Sequence, residues 1–475
     1  MRRPVTALLL AATALAGCSM QPKYVRGELP VPPSWPTGDA YLRQSEAALP
    51  SVSYRDIFRD PRLQRLIETA LANNRDLRAA AANIVSARAQ YRIQRADLLP
   101  EIGVGAGATF RDAGAGSGTT DSYSVDLGTT AFEIDLFGRI RSLSDAALNR
   151  YFAQEAAART VRLALVSDIA AAWVAYAADK SLLTLADQTV ASASNSVRLT
   201  RARLEGGIAP RTDLRQAELV LEQAKADLAE QQTALAQDVN ALRLLLGAEV
   251  VPALLPASIE QVAPTLAELP AGLDSQILLR RPDVVQAEYA LRAANADIGA
   301  ARAALFPRIS LTAVLGFASG ALGSLFNNGS FNWSASPSVD YPIFRAGAGR
   351  AGVAQAKADR DAALAQYEQA IQTAFRDVSD ALARRGTIDA QEGARQRLVA
   401  ASQDNYRLSD ARYRGGIDSF LQSLDAQRSL YSAQRSLIAT RLVRANNLIT
   451  LYRVLGGESQ LDASSGAPRP TGQQP

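Results

Sequence analysis

The sequence predicts an α+β membrane protein made of two copies of one plan, each with two strands and a pair of long helices. Three observations predict it. The stretch LRAAAANIVSARAQYRIQRADLLPEIGVGAG from Leu77 is echoed from Val284 as VVQAEYALRAANADIGAARAALFPRISLTAV, an offset of 207 residues that sets Pro100 against Pro307. No proline occurs from Glu101 to Ala209 or from Ile343 to Ala467, so nothing there breaks a helix. After each of the paired prolines, small or polar residues alternate with apolar ones, which is the period of a strand.

A repeat this long is a duplicated domain-sized unit, because solenoid periods are shorter. The first copy spans residues 62–272 and the second 273–457. Asp76 pairs with Asp283, and FEIDLFGR (Phe132 to Arg139) answers VDYPIFRAG (Val339 to Gly347), setting Phe137 against Phe344.

Composition narrows the function. The chain has 475 residues and is 48% hydrophobic but only 6% aromatic, which favours closely packed, alanine-rich helices. With 51 basic and 47 acidic residues the net charge is +4, and no basic run points to nucleic acid. There is no histidine, which removes Ser-His-Asp and Cys-His catalysis and imidazole metal sites. Cys18 is the only cysteine, so no disulfide within the chain and no thiolate cluster can form. No GxxxxGK(S/T) phosphate-binding motif occurs. No catalytic residue, cofactor or metal is expected.

The elements follow in order. Residues 1–17 read as a secretory signal, with Arg2 and Arg3 before an apolar stretch too short to span a bilayer. It ends in LAGC, which resembles the bacterial lipoprotein processing box; that resemblance implies that Cys18 is acylated, and Ser19 after it implies export to the outer membrane. The arm over 18–61 is proline-rich and reads as an extended strap. The first strand pair falls at about 99–111 and 121–136. One face reads Glu101, Gly103, Gly105, Gly107, Thr109 and the other Ile102, Val104, Ala106, Ala108, Phe110. On the return strand Tyr123, Val125, Leu127, Thr129 and Ala131 share the apolar face. The second pair falls at about 306–318 and 330–343 and alternates likewise. Strands of about ten residues suit a tilted membrane barrel. Composition alone leaves open a half-buried sheet over a soluble core. Four strands cannot close a barrel, and lipid does not tolerate open edges, so three chains would pool twelve.

Helices then run over about 139–205 and 350–414, each ~100 Å long at 1.5 Å per residue. Val161, Leu165, Ile169, Leu182 and Leu185 recur at coiled-coil spacing. The helices end at tips 205–212 and 414–419, where Gly206-Gly207 and Gly415-Gly416 supply a left-handed cap. Pro210 is expected in the first turn of the return helix, with Thr212 and Asp213 nearby; at the second tip Asp418 or Ser419 is expected to cap. A connector over 248–272, with four prolines, carries the chain back as a belt outside the helices. The tail 458–475 is expected to be disordered.

The lipobox LAGC, FEIDLFGR, LLRRPDVVQAE, LFPRISL and YRGGIDSFLQSLDAQRSLYSAQ together resemble the bacterial outer membrane factor family, the TolC and OprM type channels, most closely the NodT-like lipoprotein branch. Phe132 departs from the tryptophan common in the family. The resemblance implies a homotrimer with a twelve-stranded barrel in the outer membrane of a Gram-negative bacterium and a helical barrel crossing the periplasm. It implies docking on a periplasmic adaptor and an inner-membrane pump, often of the RND class, and a passive exit duct for drugs, toxic compounds or metals with no enzymatic step. It places Asp425 in a ring at the periplasmic mouth, with Gln422 where some members have a second aspartate, and Asp213 and Tyr413 in a polar network that closes the tips. The arginine of one branch falls on Asp418, which leaves Arg412 or Arg414 as alternatives. Leu204, Gly206, Gly207, Ile208, Gly415, Gly416 and Ile417 form the expected adaptor-docking surface. Trp333, Tyr341 and Phe132 are the expected membrane-interface anchors, in contact with lipid. The competing reading is a periplasmic adaptor lipoprotein, which should have one helical hairpin flanked by β-rich domains. A lipid-anchored enzyme finds no catalytic cluster.

Overall fold

The computed structural model describes residues 19–32, 34–36, 53–112, 119–267 and 275–457. The signal, Cys18, the tail 458–475 and the last part of the connector lie outside the described residues. Helices α1 (Tyr54–Ile57), α2 (Pro61–Asn73) and α3 (Arg75–Ala96) lead into strands β1 (Gly103–Asp112) and β2 (Thr119–Glu133). Helices α4 (Arg139–Glu205), α5 (Arg211–Leu246) and α6 (Ile259–Val262) follow. The plan then repeats as α7 (Pro282–Ala303), β3 (Arg308–Ser319), β4 (Phe331–Asp340), α8 (Ala348–Arg414) and α9 (Phe420–Val454). Helices α3 and α7 correspond residue for residue at the offset of 207. Two inserted residues raise the offset to 209 by the start of α4 and α8, which have 67 residues each. Both begin after a glycine in the left-handed region, Gly138 at φ 76° and Gly347 at φ 86°.

Helix starts follow local chemistry. At α2, Asp60 accepts from the Arg62 N–H and Pro61 takes the first position, where no N–H is needed. At α3, Asn74 Oδ1 accepts from the Leu77 N–H at 2.9 Å. The apolar middle of α4 is core rather than a membrane span: Leu165, Ile169, Trp173, Val174 and Ala177 are buried. Helix α2 packs there through Leu63, Leu66 and Ile67. The connector packs against this core. Ile259 and Val262 are fully buried, Trp173 donates its indole N–H to the Leu254 carbonyl, and Phe58 bridges to Leu266.

The four strands form one antiparallel sheet in the order β1-β2-β3-β4. Residues directly opposite share a face. One rung reads Val104, Leu127, Leu315, Trp333, and the next, on the other face, Gly105, Asp126, Gly316, Asn332. Strand β1 begins a few residues later than the sequence suggests, since the chain leaves α3 through an irregular stretch at Pro100 and Glu101. One alternation also breaks. Two residues, Thr130 and Ala131, oppose Thr312 in a bulge, with Ala131 at φ 53° and its N–H donated to Thr312 Oγ1 at 3.0 Å. Beyond it Phe132, not Ala131, stands opposite Leu311 on the apolar face. The slip corrects the simple period-two reading and places the bulkier side chain there.

Of the arm, the segment from Met20 to Arg26 is a strap along α7. The Met20 carbonyl accepts from Arg302, the Pro22 carbonyl from Asn295, and Tyr24 and Arg26 reach Glu288. Glu288 is fully buried and also receives Arg292, so its charge is compensated from both sides. Gly299 makes room for the strap: a Cβ there would stand 2.8 Å from Gln21 Cα. Trp35 then stacks on Phe375 of α8 with centroids 4.8 Å apart.

Candidate functional site

Two regions carry unpartnered or strained features: the sheet and the helical tips. On the sheet, Val104 and Trp333 are more than 70% exposed, and Leu315, Phe331, Val339 and Tyr341 are also exposed. The opposite face carries Gly103, Gly105, Gly107, Ser124, Asp126, Thr312, Ser334 and Ser336. All ten residues of β1 and all ten of β4 are exposed, and these are the two edges. Apolar outside, polar inside and open at both edges is the layout of part of a membrane barrel. Trp333 is near the start of β4 on the apolar face, Tyr341 just past the end of β4, and Phe132 at the bulge, half-buried.

At each tip the chain turns through a Schellman motif. The Gly207 N–H donates to the Leu204 carbonyl at 3.0 Å and Ile208 N–H to the Arg203 carbonyl at 2.9 Å. Gly416 and Ile417 repeat this with Tyr413 and Arg412. Gly207 and Gly416 each have φ 72°, whereas Gly206 and Gly415 are right-handed at φ −76° and −75°. Only the second glycine of each pair is required by the turn. Ile208 and Ile417 project into solvent, and Leu204 is half-buried against the tip cluster. Pro210 is the N-cap of α5, outside the first turn, and no side chain caps it. At α9 the N-cap is Ser419, one of the two expected residues, again without a side-chain bond; the other candidate is the Asp418 carboxylate, which is engaged elsewhere. It holds Arg412 in a bidentate pair at 2.5 and 3.0 Å. That guanidinium keeps the Asp418 carboxyl below its ordinary range.

The two tips share a small core: Val197, Leu214 and Ala217 of the first hairpin pack with Tyr413, Phe420 and Leu424 of the second. Arg203 crosses between them. It donates to the Tyr413 and Arg414 carbonyls at 3.3 and 3.1 Å, and its guanidinium lies 4.5 Å from the Tyr413 ring centre. Arg414 instead pairs with Asp410 at 2.8 Å. Burial pushes the Tyr413 phenol up, partly offset by Arg203, and burial also pushes the Asp213 carboxyl up. Asp425 is exposed, 3.9 Å from Arg428, and Gln422 is exposed one turn earlier. Sequence reasoning missed Arg203. The signal was available: it aligns with Arg412, but Asp418 aligns with Ala209, so the first arginine has no counterpart of the carboxylate that holds the second.

The family model described as outer membrane efflux protein matches residues 66–248 and 273–457, one segment for each copy of the repeat. The chain belongs to the outer membrane efflux protein family. It is 46% identical over 465 residues to the probable efflux pump outer membrane protein TtgC of Pseudomonas putida, covering 96% of each chain. It is 43% identical over 468 residues to outer membrane protein OprJ of Pseudomonas aeruginosa, covering 96% of this chain and 97% of OprJ. A crystal structure of a membrane protein from Pseudomonas aeruginosa superposes with a TM-score of 0.87 at 40% identity, covering 92% of this chain and all of that one. The open state of the MtrE outer membrane channel of Neisseria gonorrhoeae gives 0.84 at 36% identity, over 94% and 99%. Members of this outer membrane efflux family are homotrimeric outer-membrane channels that extend into the periplasm and work with a periplasmic adaptor and an inner-membrane RND pump. The open edges of β1 and β4 are therefore paired between subunits, and three chains supply twelve strands. The adaptor reading is not favoured: the chain has two helical hairpins and a membrane-type sheet.

Proposed function

We propose that this outer membrane efflux protein is a passive, water-filled duct for small molecules and catalyses no reaction. The observation that carries this is the sheet, apolar on one face, small and polar on the other, and joined to hairpins ~100 Å long. TtgC of another strain is named a toluene efflux pump protein, and ArpC an antibiotic efflux pump protein. By likeness to these, the cargo here belongs to the hydrophobic solvents and drugs. Cys18 carries the lipid anchor. Met20, two residues later in the sequence, gives its carbonyl to Arg302 near the end of α7, the helix that leads into β3.

The tips form the periplasmic gate. Three copies of Asp425 around the axis repel one another and favour bound cations. Tyr413 and Asp213 form the packed shoulder behind them, and Gln422 sits one turn nearer the tip without adding charge. Trp333, Tyr341 and Phe132 anchor the barrel to lipid. The exposed Ile208 and Ile417, with Leu204 and the two glycine pairs, receive the adaptor. Gly206 and Gly415 support this, because their backbones would accept a side chain and none is present. Planar-bilayer recordings test the gate. Asp425→Ala should weaken block by divalent cations, and Tyr413→Phe should alter the current. Unchanged current and block in both variants would remove the gate from this site.

A further inference from the structure

We propose that the mouth of the trimer parts along the seams between subunits, while the seam between the two tips of one subunit stays closed. This rests on the gate reading above and says where that gate opens. A duplicated chain in a trimer gives six hairpins and two alternating kinds of seam. One kind lies within a subunit, between its first and second hairpins. The other lies between the second hairpin of one subunit and the first hairpin of the next. Because the copies correspond at an offset of 209, each contact at the inner seam has a counterpart at the outer one, readable from the sequence.

The seam within the subunit is stitched in three places. Arg203 caps the end of α8 and covers the Tyr413 ring. Further up, Ser192 of α4 accepts from Gln427 of α9 at 3.2 Å and lies 3.5 Å from the Tyr406 hydroxyl of α8. Tyr431 of α9 donates to Asp227 of α5 at 2.8 Å.

None of these stitches is repeated at the seam between subunits. Ser192 becomes Ala401, and Tyr406 and Gln427 become Val197 and Glu218, so the bridging hydroxyl is gone. Asp227 and Tyr431 become Ser436 and Glu222; the serine is shorter, and Glu222 is bound by Lys225 at 2.8 Å. Arg203 and Tyr413 become Arg412 and Leu204, which removes the ring. Arg412 is also held at its own tip by Asp418, where the first tip has Ala209. Asp418 thus keeps the second arginine from making the cross-seam contact that Arg203 makes. Duplication preserved the helices at both seams, and divergence left the polar links at one.

The purified trimer in planar bilayers tests this. Asp418→Ala frees Arg412 to cap the neighbouring subunit, and the current should fall about two- to fivefold, the population shift of one exposed charged contact. Asp418→Asn should act in the same direction. Ala209→Asp draws Arg203 home, loosens the inner seam and should raise the current. Adding Arg412→Ala to Asp418→Ala should restore the original current. The proposal is overturned if Asp418→Ala leaves or raises the current, or if the double variant behaves as the single one. Asp425→Ala measured alongside separates the two readings: altered cation block with a silent Asp418 series defeats only the seam assignment, whereas unaltered block defeats the gate as well.

Discussion

Gly206 and Gly207 are equivalent as letters, but their backbones separate them. Gly207 sits at φ 72°, where a Cβ is strained whatever the space around it, and Gly206 is helical with its nearest Cβ neighbour 3.4 Å away. Gly207→Ala, or Gly416→Ala at the second tip, should cost about 1 kcal/mol locally and raise amide exchange in the last helical turn about fivefold. Gly206→Ala should leave exchange unchanged or slow it, because it reduces the freedom of the unfolded chain. Hydrogen exchange followed by mass spectrometry of tip peptides distinguishes these outcomes, and equal effects at both positions would contradict the assignment of roles. If Gly206→Ala keeps the tip folded but lowers drug resistance in cells, the missing side chain serves close approach by the adaptor.

At the scale of elements, the first hairpin contains one arrangement that works against its own packing. Asp179 of α4 and Asp238 of α5 are half-buried neighbours, and Asp238 Oδ2 is buried with no hydrogen-bond partner. Burial, then the neighbouring carboxylate, pushes Asp238 up to about 7. Burial raises Asp179 as well, and the Asp238 carboxyl opposes that rise. Tyr176, which lies close on α4, is also raised by burial and by Asp238. The sign follows from proton linkage. Between the ordinary aspartate value near 4 and about 7, the folded hairpin holds a proton that the unfolded chain has lost, so stability falls as pH rises through that window. Asp238→Asn should raise the melting temperature at pH 8 and make no difference near pH 4, read by helical circular dichroism. A melting temperature that fell at pH 8 would show the pair is favourable when ionised.

The duplication, the strand pairs, the long helices and the glycine tips were legible in sequence because each leaves a periodic or positional mark. The bulge at Ala131 was not, since it depends on the Thr312 hydroxyl of a strand about 180 residues away. The strap on α7 and the crossing of Arg203 were illegible for the same reason: both depend on which partner a charge finds in space. Pro210 stands one residue before the first turn in which it is expected, and of the two candidates at the second tip Ser419 is the N-cap, because Asp418 has Arg412.

For the whole molecule, the sheet decides which solvent each face meets, and this can be tested by placing the same charge on either side. Leu315 is near the middle of β3, in the rung with Val104, Leu127 and Trp333; Ser336 of β4 pairs with Thr312 on the opposite face. Lipid gives an arginine on the apolar face no partner, a loss of about 2–4 kcal/mol at the midplane of a membrane barrel and less toward the interface that Trp333 marks. A water-filled lumen hydrates it. Leu315→Arg should therefore reduce the heat-resistant trimer band from outer-membrane fractions. Ser336→Arg should leave that band intact and shift the reversal potential under a salt gradient toward anions. Because each chain contributes one such rung, the trimer multiplies either change threefold around the barrel. An intact band for both variants would mean that the apolar face is covered by protein rather than lipid. Loss of the band for both would mean that the polar face is packed, with no open lumen.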